Sequence, residues 1–91
     1  MEEIIKYILE QVQNLLAIDS PTGYTTNVTD YLMTEYKRLG YTPQKTVKGG
    51  VLTKLGGKET DNAVLLEAHV DTLGAMVSQI KSNGHLAVSP L

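Results

Sequence analysis

His69-Val70-Asp71 places an imidazole and a carboxylate two residues apart, at the end of the apolar run Ala63-Val64-Leu65-Leu66-Glu67-Ala68. In an extended strand, residues i and i+2 project from the same face, about 6.6 to 6.8 Å apart along the axis. Both side chains then point into one space. A histidine that ligates a metal generally donates its second ring N–H to a carboxylate, which fixes the tautomer and raises the basicity of the ligating nitrogen. The His-x-Asp unit thus has the makings of half a metal site. The chain has no cysteine, which excludes a disulfide scaffold and a thiolate zinc cluster. Any ion must take nitrogen and oxygen ligands, and such sites accept zinc, cobalt or manganese.

The elements that must position this pair follow from a single change in hydrophobic period. Ile4, Ile5, Ile8, Leu9, Val12, Leu15 and Leu16 recur at spacings of three and four, which predicts an amphipathic helix over residues 2–17. Asp19-Ser20-Pro21-Thr22-Gly23 supplies turn formers and breakers. Thr26 or Asn27 is placed to cap a second helix carrying Val28, Tyr31, Leu32, Glu35/Tyr36 and Leu39, and Gly40 to end it. Beyond Gly40 the helical period disappears. Residues 41–47, 51–55, 63–70, 73–80 and 85–88 read as strands, separated by Gly49-Gly50, by the loop 56–62 and by Ser82-Asn83-Gly84. Asn83-Gly84 between two such runs signals a hairpin. The order is two helices and then about five strands, without internal repeats.

Composition narrows the class. With 91 residues there is room for one small domain with a modest core. The net charge of −2 comes from 10 acidic and 8 basic residues scattered along the chain, without a run of five like charges. This pattern argues against nucleic acid or an anionic membrane as partner. The N-terminus Met1-Glu2-Glu3-Ile4-Ile5-Lys6 lacks the basic and then unbroken apolar profile of a signal peptide. No window approaches the roughly 18 apolar residues of a membrane span. A soluble cytoplasmic protein is the expectation.

The segment Leu65-Leu66-Glu67-Ala68-His69-Val70-Asp71-Thr72-Leu73-Gly74-Ala75-Met76-Val77, followed by Asn83-Gly84-His85-Leu86 and Ser89-Pro90-Leu91, resembles the opening of the di-metal tetrahedral-aminopeptidase family, which includes glutamyl and deblocking aminopeptidases. Ser20-Pro21-Thr22-Gly23-Tyr24 resembles that family's loop between its first two helices, and Lys48-Gly49-Gly50-Val51-Leu52 falls where its Gly-Asn-Leu strand lies. The resemblance implies an α/β fold: residues 1–71 as the N-terminal part of a three-layer α/β/α catalytic domain of zinc-peptidase type, and residues 72–91 as the first hairpin of an inserted β-barrel domain. It makes His69 a ligand of one of two divalent metal ions, zinc or cobalt, and Asp71 the catalytic carboxylate that orients it. In two-metal hydrolases of this kind the ions polarise the scissile carbonyl and activate water. The implied full-length protein is a metallopeptidase that removes N-terminal residues from peptides, assembled as dimers within a hollow twelve-subunit homo-oligomer. The family's bridging aspartate, its remaining ligands and its general-base glutamate come later in sequence than residue 91.

One departure matters. Thr72 follows the aspartate where the family usually has glutamate, and His-x-Asp-Thr is typical of related di-zinc carboxypeptidases and deacylases. Gly74-Ala75-Met76-Val77 favours the aminopeptidase branch. A non-catalytic α+β module acting in subunit association is the alternative from a different class. His85 lacks an acidic partner at i±2 and reads as a solvated turn residue, Glu67 as a structural or solvent-facing carboxylate, Tyr24 and Tyr31 as core, and Met76 as a buried strand residue. Because Ser89-Pro90-Leu91 leaves the last strand without cap or partner, the expectation is a chain completed by further residues or by another chain.

Overall fold

The computed structural model describes residues 1–58 and 61–91. Helix α1 spans Glu2–Leu16 and helix α2 Thr26–Arg38, within one or two residues of the limits set by the apolar period. Glu2 and Glu3 lie in the first turn of α1, and Lys37 and Arg38 in the last turn of α2, each with the sign the helix dipole favours. The N-cap of α2 is Thr25 rather than Thr26 or Asn27, and no side chain caps it. Its other end is as expected. Gly40 adopts φ +96°, its N–H donates to Lys37 O, and the N–H of Tyr41 reaches back to Tyr36 O, which together form a Schellman termination.

Two short antiparallel ribbons follow. Strand β1 (Gln44–Lys45) pairs with β2 (Val51–Leu52), and β3 (Ala75–Ile80) pairs with β4 (Leu86–Pro90). The first occupies part of the expected strands 41–47 and 51–55, the second most of 73–80 and 85–88. Both ribbons close through the same device. Gly49 N donates to Thr46 O and Gly84 N to Lys81 O, with each of these glycines at positive φ and no described non-glycine residue at positive φ. Asn83-Gly84 therefore closes a three-residue loop with glycine in the left-handed position, not a two-residue turn with both residues at positive φ. In β3, Ser78 is the extra residue of a bulge between Val77 and Gln79, and its hydroxyl donates to Ala87 O.

The expected strand 63–70 carries no ladder. A strand needs a row of partner N–H and C=O groups, and the two ribbons pair only within themselves, with neither outer edge laid against residues 63–70. Glu59 and Thr60, within the loop expected over 56–62, lie outside the described residues.

Burial is confined to a small centre. Val28, Thr29, Ser20 and Pro43 are buried, at the first turn of α2 and in the segments beside it. Thr29 fastens the helix to the first ribbon by donating to Gly49 O at 2.8 Å. Helix α1 meets α2 through a mixed face, with Tyr7 donating to Glu35 (2.7 Å), Asn14 to Tyr31 and Tyr31 to Gln11. Its apolar stripe of Ile4, Ile5, Ile8, Leu9, Val12 and Leu16 is exposed. Two core assignments are corrected in the same way: Tyr24 and Met76 are both exposed, because no layer lies over the loop or the second ribbon. Tyr31 is half-buried.

Candidate metal-ligand site

His69 and Asp71 do project together, although no sheet ladder imposes it. His69 Nδ1 lies 3.0 Å from Asp71 Oδ1 and 3.2 Å from Asp71 O. Both neighbours are acceptors, so in the neutral ring Nδ1 carries the proton and Nε2 keeps its lone pair. That is the tautomer that ligation through Nε2 requires. Among the described residues the imidazole has no other hydrogen-bond partner, and its side chain is 86% exposed, against 42% for Asp71. The orientation of His69 therefore depends on how well Asp71 is held.

Asp71 is held by the loop between the helices. Thr22 Oγ1 donates to Asp71 Oδ2 at 2.9 Å, so the two carboxylate oxygens have separate partners. The Thr22 hydroxyl, then the His69 ring, keep this carboxyl below the usual aspartate range. On either side the backbone is fastened to fully buried Ser20, whose hydroxyl donates to Val70 O (3.1 Å) and whose carbonyl accepts from Thr72 N (2.8 Å). Pro21 and Thr72 form an isolated parallel bridge. Gly74 completes the fit, since a Cβ there would stand 2.4 Å from Pro21 Cβ. Three consecutive loop residues thus grip the segment on both sides of Asp71.

Other sequence candidates are placed elsewhere. Thr72 turns its hydroxyl to Ser20 Oγ, 3.4 Å away. Glu67 is exposed. His85 sits exposed in the second hairpin, where its N–H donates to Asn83 Oδ1. Among the described residues, no three histidine, aspartate or glutamate side chains converge to hold an ion. His69 fits the role of one ligand by its free Nε2, and the donor set here supplies no complete site. Sequence reading missed Ser20 and Thr22 as supports, having taken the loop for turn formers. The available signal was that the loop and the His-x-Asp unit belong to one motif order.

Comparison with known proteins shows where the chain finds its relatives. Residues 49–91 match the M42 glutamyl aminopeptidase family. The chain is 38% identical over 84 residues to the putative aminopeptidase YhfE of Bacillus subtilis (strain 168), a match covering 92% of this chain and 24% of the relative. It is 35% identical over 85 residues to the glutamyl aminopeptidase of Lactococcus lactis subsp. cremoris (strain MG1363), with the same shares covered. This chain is homologous to the N-terminal part of M42 aminopeptidases. It spans about a quarter of the length of the curated relatives it matches. The M42 enzymes are metallopeptidases, and the His69–Asp71 pair lies within the matched residues. The loop Ser20-Pro21-Thr22 that supports the pair lies outside them.

Proposed function

We propose that this chain forms the N-terminal part of a metal-dependent M42 aminopeptidase, with His69 as one metal ligand through Nε2 and Asp71 as the carboxylate that orients it. The supporting observation is the Nδ1 environment: two acceptors from Asp71 leave Nε2 as the free nitrogen. A pair of divalent ions, zinc or cobalt, supplies Lewis acidity toward a peptide carbonyl and lowers the pKa of water. The part of this chain is to hold the imidazole in one tautomer and one direction. The remaining ligands and the proton-transferring carboxylate belong to sequence beyond these residues, as does the pocket for the substrate's N-terminal residue. In the proposed whole protein, residues 1–71 form one corner of an α/β/α catalytic domain, residues 72–91 open a β-barrel insertion, and the subunits pair into dimers of a larger homo-oligomer.

The test uses a polypeptide in which this sequence continues to the length of its relatives. Substituting His69→Ala is expected to remove bound metal and to lower aminopeptidase turnover by at least about 100-fold, as loss of a ligand exceeds the 10- to 100-fold typical of losing a ligand's support. Unchanged metal content and turnover in His69→Ala overturn the proposal. The 91-residue chain alone is expected to hydrolyse no aminoacyl substrate above a metal-only blank.

A further inference from the structure

We propose that Thr22 is a positioning residue for the His69–Asp71 pair: its hydroxyl occupies Asp71 Oδ2, so that Oδ1 stays on His69 Nδ1 and Nε2 remains the free nitrogen. The inference rests on the reading of His69 as a ligand for its use, and on geometry alone for its existence. A carboxylate on a half-exposed aspartate rotates readily about its side-chain torsions, and either oxygen serves water or imidazole equally. Thr22 limits that rotation by donating to one oxygen at 2.9 Å while the imidazole holds the other at 3.0 Å, which fixes the plane of the carboxylate. The backbone is fixed independently, with Ser20 bonded to Val70 O and to Thr72 N on the two sides of Asp71. Only the side-chain torsions of Asp71 are then left to settle, and the Thr22 hydroxyl settles them. With the ring largely in solvent, Asp71 selects between the two neutral forms of His69 through two acceptors, the backbone O at 3.2 Å, steadied by the Ser20 bonds, and the shorter Oδ1 contact at 3.0 Å, steadied by Thr22.

The experiment reads the neutral tautomer directly, by long-range nitrogen–proton correlation in the 91-residue chain with labelled histidine, at pH about 8, above the ordinary histidine pKa. The wild-type chain is expected to hold His69 mainly as the Nδ1–H form, and Thr22→Ser, which keeps the hydroxyl, to preserve it. Thr22→Val, matched in shape but without the donor, is expected to lower the Nδ1–H to Nε2–H ratio about fivefold or more, the worth of one hydrogen bond. His85, remote in the second hairpin, is the internal control and keeps its ratio throughout. Exchange of the Thr72 N–H, bonded to Ser20 O, reports whether the loop is still seated. A wild-type ratio equal to that in urea overturns the proposal, as does a Thr22→Val chain that keeps the wild-type ratio or a Thr22→Ser chain that loses it. A tautomer change accompanied by loss of Thr72 protection also overturns it, in favour of general loosening of the loop. The readout needs no metal and no turnover. Its failure therefore leaves the aminopeptidase reading standing, and retained metal and turnover in His69→Ala would defeat that reading without altering these spectra.

Discussion

At the scale of single residues, the pair His69 and Asp71 was legible in the sequence because i and i+2 spacing is a local property of extended chain. Its supports were not. Ser20, Pro21 and Thr22 stand some fifty positions away, and no spacing rule links a turn between helices to a segment that far downstream. Gly74 is the most demanding of these contacts. Its Gly74→Ala variant would place a methyl 2.4 Å from Pro21 Cβ, closer than side-chain carbons tolerate. The expected cost is about 1–3 kcal/mol, the range for forcing extra atoms into a filled site. Hydrogen exchange at the Thr72 N–H checks it. Exchange accelerates in Gly74→Ala and is partly restored when Pro21→Gly removes the opposing carbon. An unchanged rate in Gly74→Ala shows that the loop does not press on the segment.

At the scale of elements, both helices were legible to within one or two residues because their period and the Gly40 stop are written locally. Strand positions were legible only where a tight turn lay between partners, as at Gly49 and Gly84. Residues 63–70 have the composition of a strand but not the neighbours, and a strand is a relation between segments rather than a property of one. The contact between helices is likewise one that periodicity largely missed, since it runs through Tyr7, Gln11 and Asn14, with Leu15 as the stripe residue that joins them. Its centre is Glu35, which accepts from the Tyr7 hydroxyl and from Nε and Nη2 of Arg38. The Arg38 hydrogen bonds, then that of Tyr7, hold the Glu35 carboxyl down at about 2, from an ordinary 4.5. A depressed carboxylate stabilises the folded arrangement above its unfolded pKa, and that contribution fades as pH falls through the folded one. The Arg38–Glu35 pair within α2, and with it the Tyr7 bond that joins the helices, is therefore expected to weaken between about pH 4.5 and pH 2. Following the Glu35 carboxyl carbon shift against pH should give a midpoint near 2. Tyr7→Phe combined with Arg38→Gln should return it toward 4.5, and a wild-type midpoint already near 4.5 refutes the pairing.

The whole molecule is drawn out rather than compact. Its radius of gyration is 17.6 Å, with extents of 62 × 33 × 19 Å, where a compact domain of 100 residues has about 13 Å. Val64 and Leu66 on one face of residues 63–70 are 86% and 84% exposed, and Leu65 on the other face is 71% exposed. A run apolar on both faces suits a strand covered from both sides. Exposed apolar surface on this scale binds hydrophobic dyes. The 91-residue chain is expected to enhance anilinonaphthalene sulfonate fluorescence at neutral pH, and Val64→Ser with Leu66→Ser to lower that signal. A chain that leaves the dye dark has this surface covered. Sequence length and composition foretold a modest core, and periodicity located the apolar stripe of α1, which is largely exposed here together with Val64, Leu65 and Leu66. What could not be read was which surfaces remain without a partner, because that depends on residues other than their own.

The grip of Ser20 and Thr22 on residues 70–72 also sets an order of events in time. The first hairpin, Gln44–Leu52, closes over a few residues and is complete before residues 70–72 are made, whereas this grip must join chain segments about fifty residues apart, a slower, non-local closure. At roughly 5–20 residues per second of synthesis, the loop waits about 3–10 s before its partner segment exists. Throughout that interval the helices are made and the imidazole is not. Once His69 emerges it is undirected until Thr72 has followed it, so orientation of the nitrogen comes after, and depends on, the meeting of two distant stretches of chain.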